Sequence, residues 1–584
     1  MSRTFSSESR LSAVLANPRA RALLEKAVPG VANSPMVQNL SSMPVGVLVD
    51  RDPAMRVDEQ ARKQFWEEMA QIDDTTPPRV EAAPIEPRLD YEPDDVAEGS
   101  AAVRAAGSGP VHAPFEIAFD GPAHGNPFVD VELTVTFVSP AGSELRVGGF
   151  YDGDGRYLVR LLPEETGTWR FTSSSTARSL NGVSSTFEIT PSENPGRVRV
   201  ADQFHFRHAD GTRYAPFGTT AYAWTHQGDD LEAQTLASLQ ASPFNKVRMC
   251  VFPKSYLYNT NEPPRYPYAR NEDGGWDTTR FDVEYFRHLE NRIAQLDAIG
   301  VQADLIIFHP YDRWGFADLG RAADDRYVTY LVRRLAAYPN IWWSMANEYD
   351  LMWTKSIEDW ERLAAVVVDN DHAGHLISIH NCFGFYDYSK PWITHASMQR
   401  IDVYRTAENI DAWREEWGKA VVVDECAYEG DLDQGWGNIT AEEMVRRCWE
   451  GAVRGGYVQH GETYFADDEV IWWAKGGVLK GDSPERIRFL ASIVAEAPRG
   501  VLDPLPSEWD TPWGGVAGEY VILYFGFNRP RFRTVSLPPG VRYRVEVIDT
   551  WNMTIEPVDG TYEGTFTIQL PGRQYVALRL TAAE

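Results

Sequence analysis

Between about residues 199 and 500, short apolar runs alternate with helix-patterned stretches, and this alternation constrains the fold more than any other feature of the 584-residue chain. Eight runs read as buried strands: Tyr214–Thr220, Lys246–Phe252, Gln302–Phe308, Ile341–Ala346, Leu376–His380, Trp392–Ala396, Ala420–Asp424 and Gly456–His460. Helical periodicity fills the intervals at 231–241, 282–299, 322–338, 357–370, 406–417, 441–454 and 484–497. Repeated βα units make parallel sheets, and eight of them in some 300 residues predict a (β/α)8 TIM barrel over 199–502. A doubly wound open sheet is the alternative. It is disfavoured because no glycine-rich phosphate loop follows any run.

The flanks read differently. Residues 1–75 are helical, with Leu11, Val14, Leu15, Leu23, Leu24 and Val28 at helical spacing, a stop at Pro29-Gly30, and a second helix over Asp58–Ile72. Two short helices bury too little alone. The segment is expected to dock, either as an oligomerisation module or as a clamp on its own chain. RLSAVLANPRARALLEKAVPG resembles a small helical module appended to various bacterial sugar-cleaving enzymes. Residues 76–113, rich in proline, acid and small residues, read as a linker or extended arm. Period-two alternation over 114–198 predicts an immunoglobulin-like β-sandwich, with Asp152-Gly153-Asp154-Gly155 as a hairpin turn rather than a calcium loop. Alternation returns over 503–584 as a small terminal β-sandwich. The expected fold class is thus multidomain α/β.

Composition narrows the partners. A formal charge of −28 makes nucleic acid and anionic membrane poor partners. Nineteen Trp and 26 Tyr suit stacking on sugar rings as well as they suit large cores. Cys250, Cys382, Cys426 and Cys448 form no metal-binding pair and are expected to be reduced thiols. No HExxH or HxH pair is present, and neither metal nor cofactor is expected. The N-terminal sequence has no apolar stretch of signal-peptide length and no run reaches membrane-helix length, so a soluble, cytoplasmic protein acting on a small imported substrate is expected.

In a TIM barrel the active site lies at the C-terminal strand ends. The polar residues there are Tyr222, Trp224 and His226 after the first run, and Arg248 in the second. His309, Asp312, Arg313 and Trp314 follow the third. Asn347, Glu348 and Asp350 follow the fourth, and His380 and Asn381 end the fifth. Asp424 and Glu425 end the seventh, and His460, Glu462 and Tyr464 the eighth. Glycoside cleavage needs a carboxylic acid to protonate the leaving oxygen and a carboxylate to attack or to activate water. Glu348 and Glu425, on non-adjacent strands, can face each other across a sugar; in a retaining enzyme their carboxyl groups would lie about 5–5.5 Å apart. Strand alternation points Asp424 the other way, as a structural residue.

Asn-Glu after strand four and Glu after strand seven is the pattern of clan-A glycoside hydrolases. FHPYDRWGF, IWWSMANEYD, VVVDECAYEG, GGYVQHGETY and IWWAKGGVLKGDSPERIRFL closely resemble bacterial proteins of the apiosidase-like group, over roughly residues 114–584. The resemblance implies Glu348 as general acid/base and Glu425 as nucleophile. It also implies Asn347 at the sugar hydroxyl beside the anomeric carbon, and Arg248 orienting the nucleophile. Tyr222, Trp224, His309, Asp312, Trp314, His380, Glu462 and Trp472 are further substrate-binding candidates, with Trp473 considered beside Trp472. The expected activity is exo-acting, retaining hydrolysis of a small arabinoside, apioside, xyloside or glucoside. A transglycosylase with the same residues and a non-catalytic carbohydrate-binding protein are the alternatives.

Overall fold

A computed structural model describes residues 3–31, 42–76, 81–399, 407–507 and 509–583. Its centre is a closed parallel barrel of β1 (Gly218–Thr220), β2 (Lys246–Cys250), β3 (Gln302–Phe308), β4 (Ile341–Ala346), β5 (Leu376–Ser378), β6 (His395–Gln399), β7 (Ala420–Glu425) and β8 (Tyr457–Val458). The pairings β1-β2-β3-β4-β5 and β6-β7-β8 form two arcs. One seam is closed by a parallel bridge from Thr219 to His460, the other by the Ser378 hydroxyl on the His395 carbonyl and Thr394 N–H on the Ile377 carbonyl. β2, β3, β4 and β7 are buried along their whole length, which is why their sequences are continuous apolar runs.

Two strands depart from expectation. Tyr214 does not belong to β1, because Pro216 interrupts the run and lacks the N–H a ladder needs. Tyr214 instead ends an antiparallel meander (Val198–Ala201, His205–His208, Arg213–Tyr214) that packs with Trp342, Leu376, Ala420 and Val422 as a plug at the barrel's N-terminal end. β6 begins three residues later than expected. Trp392 sits outside the strand, its indole N–H on Glu361.

Among the described residues nine strands precede the meander, in sheets of four and five that enclose a core of Ile117, Phe119, Val135, Phe137, Val159 and Trp169. Ala102–Ala105 and Ser108–Pro110, from the expected linker, each add an edge strand to one of these sheets. Asp152 opens the expected hairpin turn and is buried against Arg287 and Arg334 of the barrel helices. The chain ends in a separate β domain of six- and two-stranded sheets around Val521, Leu523, Val545 and Leu578. The N-terminal segment forms short helices at Leu11–Ala16, Pro18–Ala27, Val45–Arg51, Pro53–Val57 and Glu59–Met69. Among the described residues, no helix is long and apolar enough to cross a membrane.

Candidate active site

The end of β4 is held from both sides: Asn347 N–H donates to the Phe308 carbonyl of β3, and Tyr349 N–H to the His380 carbonyl beyond β5. Between them Glu348 adopts the left-handed backbone region, φ +54° and ψ +56°. That conformation is rare for a residue with a side chain and breaks the strand's alternation. Asp350 completes the turn by accepting the backbone N–H groups of Cys382, Phe383 and Gly384. The Glu348 side chain, only 6% exposed, reaches the cavity, where its carboxyl group accepts from the Tyr311 hydroxyl and from Gln399 Nε2 at 3.1 Å. Burial pushes its pKa up, and the Tyr311 hydrogen bond opposes this in part. Burial thus disposes this carboxyl group to hold its proton more readily than a free glutamate.

Glu425 ends β7 and lines the same cavity. β6 and β7 pair Met398 with Val423 and Gln399 with Glu425, so Asp424 is an extra residue in the register. This bulge corrects the expectation for Asp424: it and Glu425 both face the barrel interior, at different depths. The Tyr222 hydroxyl donates to the Glu425 carboxylate, and burial raises the Glu425 pKa to about 7 against an opposing hydrogen bond from Tyr428. Tyr222 and Arg248 Nη2 also meet Asn347 Oδ1, at 3.3 and 3.0 Å. The amide oxygen is thereby engaged, and the NH2 end is the one offered to the cavity.

Beneath the pair lies a buried ionic floor. Lys246 Nζ stands 2.6 Å from Asp304 and 2.8 Å from Asp424, and Arg248 Nη1 lies 3.5 and 3.9 Å from the same two carboxylates. Ser397 and Ser344 add hydroxyl contacts. Burial alone would raise the Asp424 pKa, but Lys246 and Arg248 hold it well below the usual carboxylate range. Arg248 therefore props Asn347 from below and makes no contact with the carboxylate of Glu425.

The cavity has a volume of about 500 Å³. Besides the expected Tyr222, Asn347, Glu348, Glu425 and Trp473, its wall includes Lys254, Tyr256, Tyr311, Gln399, Tyr428 and Trp436. Lys254 Nζ rests 3.5 Å from the Tyr222 ring centroid, 4.6 Å from Tyr311 and 4.8 Å from Trp473, and burial lowers its pKa to about 8. Tyr311 and Tyr428 lay inside the motifs FHPYDRWGF and VVVDECAYEG, three residues beyond a strand end. Gln399 was hidden by the early placement of β6.

The other candidates lie elsewhere. Trp224 is fully buried in the barrel core, with its indole N–H on Met249 sulfur. Trp472 is likewise core, donating to Thr219 Oγ1 at 2.9 Å, and its neighbour Trp473 takes the cavity position. His309 is buried against the Phe252 carbonyl, and burial lowers its pKa to about 3. The Asp312 carboxylate accepts the N–H groups of Trp314, Gly315 and Ala317, folding its own loop. Trp314 packs on Tyr266 and Phe316 and donates to Glu262. His380 is buried below the site near Arg248. Glu462 accepts Lys480 and Gly481 N–H groups at 2.6 and 2.9 Å, anchoring the loop after β8. Asp312 and Glu462 thus hold loop backbone, and Trp224, Trp472, His309 and His380 are buried in the barrel, positions that a strand-end reading does not separate from the cavity wall.

Residues 201–495 match the family described as apiosidase-like, catalytic domain. Residues 110–176 and 509–581 match two domains of unknown function, DUF5060 and DUF5605. A Bacteroides vulgatus protein assigned to the glycoside hydrolases is similar at 37% identity and a TM-score of 0.78, over 82% of this chain and 100% of that one. A glycoside hydrolase family 5 structure from the same organism shares the fold at 15% identity and a TM-score of 0.52, over 66% of this chain and 94% of its own. No curated protein matches the chain significantly.

Proposed function

The chain belongs to the apiosidase-like glycoside hydrolases, and on that footing we propose that it cleaves a small glycoside by double displacement with retention at the anomeric carbon. The observation that carries this reading is the pair Glu348 and Glu425, two buried carboxyl groups from β4 and β7 in one cavity, each with a tyrosine hydroxyl donor. Glu425, ionised, attacks the anomeric carbon while Glu348 gives its proton to the glycosidic oxygen, and the alcohol leaves. Glu348, now a carboxylate, takes a proton from water as that water attacks the same carbon and releases Glu425. Tyr222 aligns the nucleophile. The Asn347 NH2 group donates to the hydroxyl beside the anomeric carbon, a bond that strengthens as charge develops. Exo action fits a cavity crossed on one side by the N-terminal helices; the candidate glycones are arabinose, apiose, xylose and glucose.

Two structural readings go with this one. Residues 114–198 are read as an immunoglobulin-like β-sandwich, and self-association through the N-terminal helices is tested by solution mass with residues 1–75 deleted.

Glu425→Ala and Glu348→Ala are each expected to abolish hydrolysis in a screen of pyranose and furanose aryl glycosides. Azide should restore turnover to Glu425→Ala and yield a glycosyl azide of inverted configuration. Full activity in Glu425→Ala, or an inverted sugar from the wild-type enzyme by NMR, would overturn the mechanism.

A further inference from the structure

Residues 1–109 lie outside all three matched families, yet part of that stretch builds the cavity. The short N-terminal helices surround an apolar core of Leu11, Val14, Leu24, Val45, Phe65 and Met69, and Leu351, three residues after Glu348, joins it. Among the described residues two contacts of charged side chains seat the module: Arg10 on Asp318 at 2.7 Å, and the Arg51 guanidinium 4.0 Å from the Phe383 ring centroid. These anchors lie after β3, β4 and β5, on the acid/base side of the mouth. The residues around Glu425 come from the opposite arc: Tyr222 after β1, Tyr428 and Trp436 after β7, and Trp473 after β8.

The module presents the side chains of Val28, Val31, Met43, Val47 and Leu48 and the Pro29-Gly30 turn to the cavity. Among the described residues its one charged lining group, Arg51, is already engaged with Phe383. In a retaining glycosidase the leaving group lies on the side of the proton donor. A sugar leaving group brings several hydroxyls, and aliphatic side chains offer them no hydrogen-bond partner in exchange for water. An apolar alcohol loses nothing there and gains burial.

We propose that the N-terminal helical module forms the leaving-group subsite, and that this subsite takes an apolar aglycone, an aromatic or alicyclic alcohol rather than a second sugar. The proposal rests on the retaining reading above, because Glu348 defines the leaving-group side. It also gives the module a role within its own chain.

The test uses the full chain and the glycone it hydrolyses best, offered as 2-naphthyl and methyl glycosides. Val47 and Leu48 are half-buried, so Leu48→Ala and Val47→Asn change the wall without emptying the module's core. The selectivity, kcat/KM for naphthyl over methyl, is expected to fall roughly tenfold in each variant, the lower end of what a lost apolar contact does in a pocket. Intrinsic leaving-group acidity cancels between variant and wild type. Free 2-naphthol, measured by calorimetry without turnover, should bind the wild type and bind the variants correspondingly more weakly. Unchanged selectivity, or naphthol binding insensitive to both substitutions, overturns the subsite even if Glu425→Ala is inactive. Loss of the Glu425 dependence with naphthol binding still sensitive would instead strike the catalytic reading.

Discussion

Glu425 should make the folded protein less stable at alkaline pH than it would be without that charge. Its pKa stands near 7 in the folded state against an ordinary 4.5, because burial penalises the ionised form. Between these values the folded chain holds a proton that the unfolded chain has released. Folded stability therefore falls as pH rises from 4.5 to 7, and the full penalty applies above that. At about 1.4 kcal/mol per pH unit, the gap corresponds to about 3 kcal/mol. Glu425→Gln keeps the shape and never ionises, so it escapes the penalty. For a catalytic domain of this size, about 3 kcal/mol is on the order of 5 °C in Tm. Calorimetry should place the barrel transition of Glu425→Gln about 5 °C above wild type at pH 8.5 and within about 1 °C of it at pH 4.5. The same variant should be inactive. An equal difference at both pH values, or a variant less stable at pH 8.5, would refute the assignment of a dry, charge-averse nucleophile site.

Other outcomes follow from neighbouring contacts. The acid limb of kcat/KM should lie near pH 7, far above a free glutamate, as Glu425 takes up its proton. Tyr311→Phe removes a donor that favours ionised Glu348, and the alkaline limb should move upward in a pH–rate profile. Lys246→Met leaves Asp304 and Asp424 facing each other in the floor and should destabilise by about 3–5 kcal/mol in urea titration. Trp473→Ala should raise KM with a modest change in Tm, whereas Trp472→Ala, which empties core, should lower Tm by the equivalent of about 3–5 kcal/mol.

The barrel was legible because β2, β3, β4 and β7 are buried on both faces, and such strands must be written as unbroken apolar runs. Glu348 and Glu425 were legible because they directly follow those runs. What failed was depth and direction. Asp424 and Glu425 share an interior only through a register shift that depends on β6, and β6 was itself displaced by a tryptophan belonging to a loop. His309, His380 and Glu462 have the residue types of sugar contacts, yet His309 Nε2 and the Glu462 carboxylate meet backbone, and His380 is fully buried near Arg248. Lys254 comes from the loop after β2, and its aromatic neighbours come from four separate segments. No local pattern announces such a cluster. The N-terminal helices were readable as helices, but their seat beside Leu351 is set by side chains some 300 residues away.

The floor beneath the glutamates has an electrical consequence. Asp304 and Asp424 face Lys246 and Arg248, and the four formal charges sum to zero. Balanced in this way, the floor holds Asn347 in place without adding net charge beneath the cavity, and burial is the leading cause of the raised Glu425 pKa. The working pH of the pair is then governed by how much water the cavity admits. A bound molecule that dries or wets the pocket should move it further than any rearrangement of the floor that keeps the charges balanced.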